Sequence, residues 1–336
     1  MKFYYQIEGT LRNNIGDVLQ GMVAKRFLPN TSHIADREAL SNIDTTSPSL
    51  LLANGWYMHS FDNFPPPPNV TPIYISVHIA QSKLLNNKKV REHFLMHSPI
   101  GCRDKKTLKL FLGWGIPAYY SSCLTITTTK RAEINNTSEG EIILVDNIDH
   151  PIPEKIKTKL EQLLNKPLVR ITHDPPKKDG SLQEFMEDSE KHMNSLLKRY
   201  CKASLVITSK IHCALPCLGM GANVMLIHPN PADPRLATVA EFLAIKSYNE
   251  ILKSKVFSYP KINKGALNKK KKLLFNIINK SIINKSNIIQ QPDTYGLNTI
   301  KIKSTLMAKA YSTGIKIMLK TGLANSQIKK VFGISY

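Results

Sequence analysis

The sequence is short of acid: 25 aspartates and glutamates stand against 46 lysines and arginines, a formal net charge of +21 over 336 residues. It also lacks any run near the roughly 20 consecutive apolar residues that span a bilayer. Its opening, Met1–Gly9, has no basic stretch followed by an apolar one, so no signal peptide is expected and the chain reads as cytosolic. Cysteine is scarce and unpaired in pattern. The five residues Cys102, Cys123, Cys201, Cys213 and Cys217 form no CxxC pair and have no histidine at finger spacing, which speaks against a structural zinc site. Cys213 and Cys217, one helical turn apart, read as small apolar residues on a buried face. With 42% hydrophobic and 21% charged residues, the chain is globular and long enough for two domains.

The positive charge is unevenly placed. From Ser258 to Tyr336 there are fifteen lysines, no arginine and one acid, Asp293, a net +14 that is two-thirds of the total. Such a segment is either a solvated face or a surface attracted to a polyanion. Nucleic acid is disfavoured, because interleaved arginines and stacking aromatics are missing. Three readings stay open for this basic segment: a solvated face, peripheral contact with the anionic inner face of a membrane, and packing back across the first domain.

Short β-rich runs alternate with helical patterns to about residue 250, the mark of parallel βαβ units. Strands are expected at Lys2–Ile7, Leu50–Ala53, Ile73–Val77, Phe94–Met96, Ile142–Val145, Leu168–Thr172, Leu205–Thr208 and Val224–His228. Helices are expected at Ile15–Phe27, around Leu108–Leu112, and at Ser181–Tyr200 and Leu236–Ala244. The polar stretch Lys130–Glu141 separates two series, giving an α/β chain with domains at 1–141 and 142–257 and a Lys-rich helical extension at 258–336.

Ligands of open α/β sheets bind beyond the carboxyl ends of the strands, and polar residues collect there. Asn54, Trp56, Tyr57 and His59 follow one strand, and His78 another. Arg103 and Asp104 sit in a turn, Ser122 and Cys123 follow an aromatic run, and His173 and Asp174 follow Thr172. Each has a plain alternative. Asn14–Asp17 can simply cap a helix, Arg103–Asp104 can be an ion pair with Asp104 as cap, and His78 and His173 can be structural. The segment Ser209-Lys210-Ile211-His212 is stronger. It joins an apolar strand to a small-residue helix, where the helix N-terminus adds to the charge of Lys210 and His212 to make an anion site.

Three segments in this order resemble the polysaccharide pyruvyltransferase family: Asn14-Ile15-Gly16-Asp17; Ile100-Gly101-Cys102-Arg103-Asp104 with Thr107 and Gly115–Thr125; and Ala203–Pro216. They cover roughly residues 10 to 230. The resemblance implies two Rossmann-like domains facing across a GT-B-like cleft, acting in exopolysaccharide, capsule or cell-wall glycan synthesis. It implies phosphoenolpyruvate as donor, a sugar or lipid-linked oligosaccharide as acceptor, and no metal or other cofactor. One position departs: Lys210 stands where the family usually has arginine, giving a point charge without a bidentate fork. On this reading His212 is the acid–base group, Lys210 and Arg103 hold the anionic donor, and Asp17 is a base toward the acceptor. Asn14, Gly16, Asp104, Ser122, Ser209 and Cys213 complete the substrate wall, and Asn54, Trp56 and His59 meet the sugar. The alternative is a nucleotide-sugar glycosyltransferase of the same architecture, for which Glu241 is one candidate ribose ligand, with no motif around it.

Overall fold

The computed structural model describes residues 1–290 apart from 45, 60–61, 135–138, 147 and 177–178. It contains two sheets, every pairing in them parallel. The first is built from β1 (Lys2–Ile7), β2 (His33–Asp36), β3 (Ser49–Tyr57), β4 (Val70–Ile79), β5 (Ile100–Cys102) and β6 (Ala118–Tyr120), in the order β2-β1-β3-β4-β5-β6. The second is built from β7 (Ile142–Asp146), β8 (Leu168–Thr172), β9 (Leu205–Thr208), β10 (Val224–His228) and β11 (Lys246–Ser247), in the order β11-β10-β9-β7-β8. This α/β architecture is compatible with two Rossmann-like units.

The helices are α1 (Ile15–Lys25), α2 (Lys88–Met96), α3 (Lys105–Gly113), α4 (Glu154–Leu164), α5 (Leu182–Lys202), α6 (Ile211–Met220), α7 (Ala237–Ala240), α8 (Tyr248–Lys253) and α9 (Lys264–Gln290). The strands read as continuous apolar runs because both faces are covered. Successive side chains therefore enter different cores. Leu50 and Leu52 of β3 point into a core shared by both sheets, while Leu51 and Ala53 pack under α2 and α3. In β7, Ile143 and Val145 join the shared core, and Ile142 and Leu144 face α4 and α8. The shared core, filled by α1, α5, α6 and part of α9, holds the two sheets against each other.

Three expectations need correction. Phe94–Met96 is the end of α2, not a strand, because Phe94 packs on Phe111 and Phe64 from a helical backbone. Asn54, Gly55 and Trp56 lie on β3, which runs on to Tyr57 and stays paired with β4 across a register shift between Ala53 and Gly55. The region Leu236–Ala244 holds only the one-turn helix α7. The Lys-rich segment is helical over α9, and α9 is built into the body of the protein. Leu267, Leu274 and Ile278 are buried in the shared core, each worth about 2 kcal/mol of burial. Phe275 packs on Phe27 at 5.2 Å, Lys271 donates to the Gly219 carbonyl, and Lys285 donates to the Pro72 carbonyl. The turn expected at Gln291–Gly296 and everything after it lie outside the described residues. No helix among the described residues is long and apolar enough to cross a membrane.

Candidate active site

In each sheet the chain order reverses once, between β1 and β3 in the first and between β7 and β9 in the second. The strand ends at such switch points diverge and leave a crevice. Both crevices open into one cavity of about 1000 Å³. The first sheet lines it with Asn14 and Asp17 of the α1 N-terminus, Trp56 and His59 at the end of β3, His78 of β4, and Arg103 after β5. The second lines it with His150, His173, Ser209, Lys210, His212 and Arg235.

The two strongest sequence motifs meet here. A Cβ placed on Gly16 would stand 2.5 Å from Nδ1 of His212 and 2.7 Å from its Cβ, so the Cβ–Cγ–Nδ1 edge of the His212 side chain lies against a helix turn that only glycine leaves open. The other ring nitrogen is 3.9 Å from the Cys123 thiol. Burial, and then the Arg103 guanidinium, push the His212 pKa down to about 3, so the ring is neutral at physiological pH. Lys210 is the N-cap of α6 and offers no side-chain cap. The first amides of α6 thus carry the helix's partial positive charge at the cavity wall beside the Lys210 ammonium and Arg103. Burial lowers the Lys210 pKa, although Asp174, Asp146 and Asp149 pull it upward.

Behind the opposite wall lies a polar network that the sequence did not signal. Arg37, 2% exposed, sits 3.7 Å from Asp17 and 3.4 Å from Glu38. Its guanidinium is 5.6 Å from the Trp56 ring centre. Gln20 donates to the Asp17 carboxylate at 2.7 Å. Glu38 accepts from the His59 amide and lies 3.2 Å from its ring, and His59 packs on Trp56 with ring centres 4.2 Å apart and planes tilted by 50°. Arg37 and Glu38 lie in a short helical turn, 37–42, and nothing in their spacing marks them as buried.

A second arrangement joins residues that the sequence presented separately. His78 Nδ1 donates to Asp104 at 2.6 Å. Asp104 also caps α3 through the Thr107 amide and accepts from the Thr107 hydroxyl at 3.1 Å. Burial pushes the Asp104 pKa up, but these hydrogen bonds and Arg103 outweigh it, and the carboxyl ends below its ordinary range. His173 is held by the Tyr200 hydroxyl at 3.0 Å, its pKa pushed down to about 3 by burial.

Of the residues expected at the site, Asn14, Asp17, Trp56, His59, Arg103, Ser209, Lys210 and His212 line the cavity, and five others do not. Gly16 lies beneath His212. Asp104 stands behind His78. Asn54 is buried in β3, its side chain donating to the Gln20 carbonyl. Ser122 is fully buried, at a left-handed φ of 65°, and Cys213 is enclosed in the shared core with Tyr200 and Cys217. Glu241 is away from the cavity, accepting from the Tyr120 hydroxyl and paired with Lys270.

Fold and cavity together define an α/β protein with a cation-lined, histidine-rich cavity where two parallel sheets present their strand ends. Residues 14–230 match the family described as polysaccharide pyruvyl transferase, and the chain belongs to that family. Membership makes it a transferase with a sugar or polysaccharide acceptor. No curated protein matches the chain.

Proposed function

We propose that the protein transfers the pyruvyl group of phosphoenolpyruvate to two hydroxyls of a sugar, forming a cyclic ketal and releasing phosphate. The observation that carries this reading is the contact of His212 with Gly16. It joins a neutral imidazole, an uncapped helix N-terminus, Lys210 and Arg103 on one side to Asp17 on the other. Phosphoenolpyruvate is small and densely anionic, and the uncapped α6 amides, Lys210 and Arg103 supply the donors and charge that its carboxylate and phosphate require. Its negative charge beside His212 favours the imidazolium, so donor binding loads the proton that goes to the methylene carbon. The neighbouring carbon gains oxocarbenium character, and a sugar hydroxyl adds there as Asp17 takes its proton. That proton replaces the one His212 gave up. Trp56, packed against His59 at the cavity wall, offers an aromatic surface to the sugar ring.

The test is phosphate release from phosphoenolpyruvate with a panel of sugar acceptors. In His212→Ala, turnover falls by at least about 100-fold while the fold is kept, and normal turnover removes His212 from the mechanism. Lys210→Arg keeps or improves donor affinity and Lys210→Ala weakens it. Equal affinity in all three proteins removes Lys210 from the donor site.

A further inference from the structure

Ketal formation has a second proton to move. Two hydroxyl protons leave the sugar: one ends on the new methyl group and the other on the departing phosphate. His212 and Asp17 account for the first and leave the second without a carrier.

Six of the ten histidines line the cavity, and the partners of five of them, all but His150, tell these five apart. His173 is tied to Tyr200. His228 Nδ1 is turned onto its own loop at Asn230. The His59 side chain is 44% exposed, and its carboxylate partner Glu38 is shared with Arg37, which suits a binding surface. His78 differs. Its side chain is 16% exposed, and its Nδ1 is engaged at 2.6 Å by a carboxylate that is itself only 7% exposed and fixed from two other directions. An N-cap alone needs no such partner, since serine or asparagine would serve. A buried carboxylate on Nδ1 fixes the tautomer, leaves Nε2 as the proton acceptor, and stabilises the imidazolium once formed. His212 has no such carboxylate among the described residues: its Nε2 lies 3.9 Å from the Cys123 thiol, so the two imidazoles have different partners.

We propose that His78, oriented by Asp104, is a second catalytic residue: Nε2 takes the proton of the second sugar hydroxyl and passes it to the departing phosphate. As that proton leaves, the second sugar oxygen bonds to the ketal carbon, and the bond from that carbon to the phosphate oxygen breaks. The proton on Nε2 then moves to the phosphate, so His78 ends neutral and the sugar ends as the closed ketal. This inference rests on the pyruvyl-transfer reading.

The experiment compares wild type, His78→Gln and Asp104→Asn, the last chosen because asparagine keeps the α3 cap. Phosphate release, phosphoenolpyruvate affinity by calorimetry, and thermal midpoint are measured, with and without added imidazole. In His78→Gln, turnover falls about 10²- to 10⁴-fold, donor affinity stays within twofold of wild type, and imidazole restores part of the rate. Asp104→Asn loses turnover with the same preserved donor affinity. Turnover of His78→Gln within threefold of wild type overturns the His78 assignment alone. So does a parallel loss of donor affinity, or a rate loss that imidazole leaves unchanged. Absence of phosphate release by wild type overturns the pyruvyl-transfer reading, and this inference with it.

Discussion

Gly16→Ala tests the contact on which the active-site reading depends. The new methyl carbon would stand 2.5 Å from His212 Nδ1, 2.7 Å from its Cβ and 2.9 Å from its Cγ. Ordinary contact is near 3.5 Å, so the ring must retreat by about 1 Å. It cannot do so by a small rotation, because the obstruction reaches back to Cβ. Gly16 lies in the first turn of α1, where alanine is a better helix former by up to about 1 kcal/mol. The steric displacement costs about 1–3 kcal/mol, so the two effects largely offset and the variant folds. Activity is a different matter. A misplacement of about 1 Å at a catalytic group costs on the order of 100-fold in rate. Phosphate release should therefore collapse while the thermal midpoint moves by only a few degrees. Full turnover by a well-folded Gly16→Ala protein would refute both the packing argument and the role given to His212.

Two further predictions concern groups behind the site. Arg37→Met leaves the carboxylates of Asp17 and Glu38 without their buried cation and should cost about 3 kcal/mol in urea unfolding. Arg37→Lys keeps the charge but not the fork and should raise the acceptor KM while leaving phosphoenolpyruvate affinity unchanged. Equal effects on both substrates would show that the network does not set the acceptor wall. Lys285 has no carboxylate beside it among the described residues, and burial pushes its pKa down to about 8. The folded state thus disfavours the ammonium, a deficit present in full below pH 8 and lost as pH rises toward the unfolded value near 10.5. Across that gap it amounts to about 3 kcal/mol, against about 1 kcal/mol for the hydrogen bond to Pro72. Lys285→Met should therefore be about 2 kcal/mol more stable than wild type at pH 7, the advantage shrinking toward pH 10. A less stable variant at pH 7 would reverse the argument.

The longer strands were legible in the sequence because burial on both faces leaves uninterrupted β-rich runs, as in β7 and β9. The short ones were not. β5 has three residues and β11 two, too few to carry a period. The run Phe94–Met96 misled because three apolar residues fit a strand as well as the last turn of a helix. Lysines hid the role of α9, since only Leu267, Leu274 and Ile278 of its described residues are fully buried in the core and the run of lysines between them dominates the composition. At the site, residue types at strand ends marked Asp17, Arg103, Lys210 and His212. The pairing of His78 with Asp104 depended on β4 lying beside β5, which no local pattern states. Arg37 gave no signal, as charged residues in a short turn are ordinarily exposed.

The placement of Gly16 under His212 also explains why the motifs occur together, 196 positions apart in the chain. A neutral imidazole at a helix N-terminus needs a wall that holds it without offering a carboxylate, which would draw its proton before the donor arrives. Gly16 supplies that wall as bare backbone, while Asp17, the next residue, has its carboxylate engaged by Gln20 and Arg37. The shared core fixes the spacing, because α1 and α6 pack together within it. A change that loosens that core, far from any cavity residue, should therefore reduce turnover before it unfolds the chain. Leu274→Ala of α9 provides the means: a partly filled cavity of this kind costs about 2–5 kcal/mol, and activity should decline at temperatures below the unfolding transition.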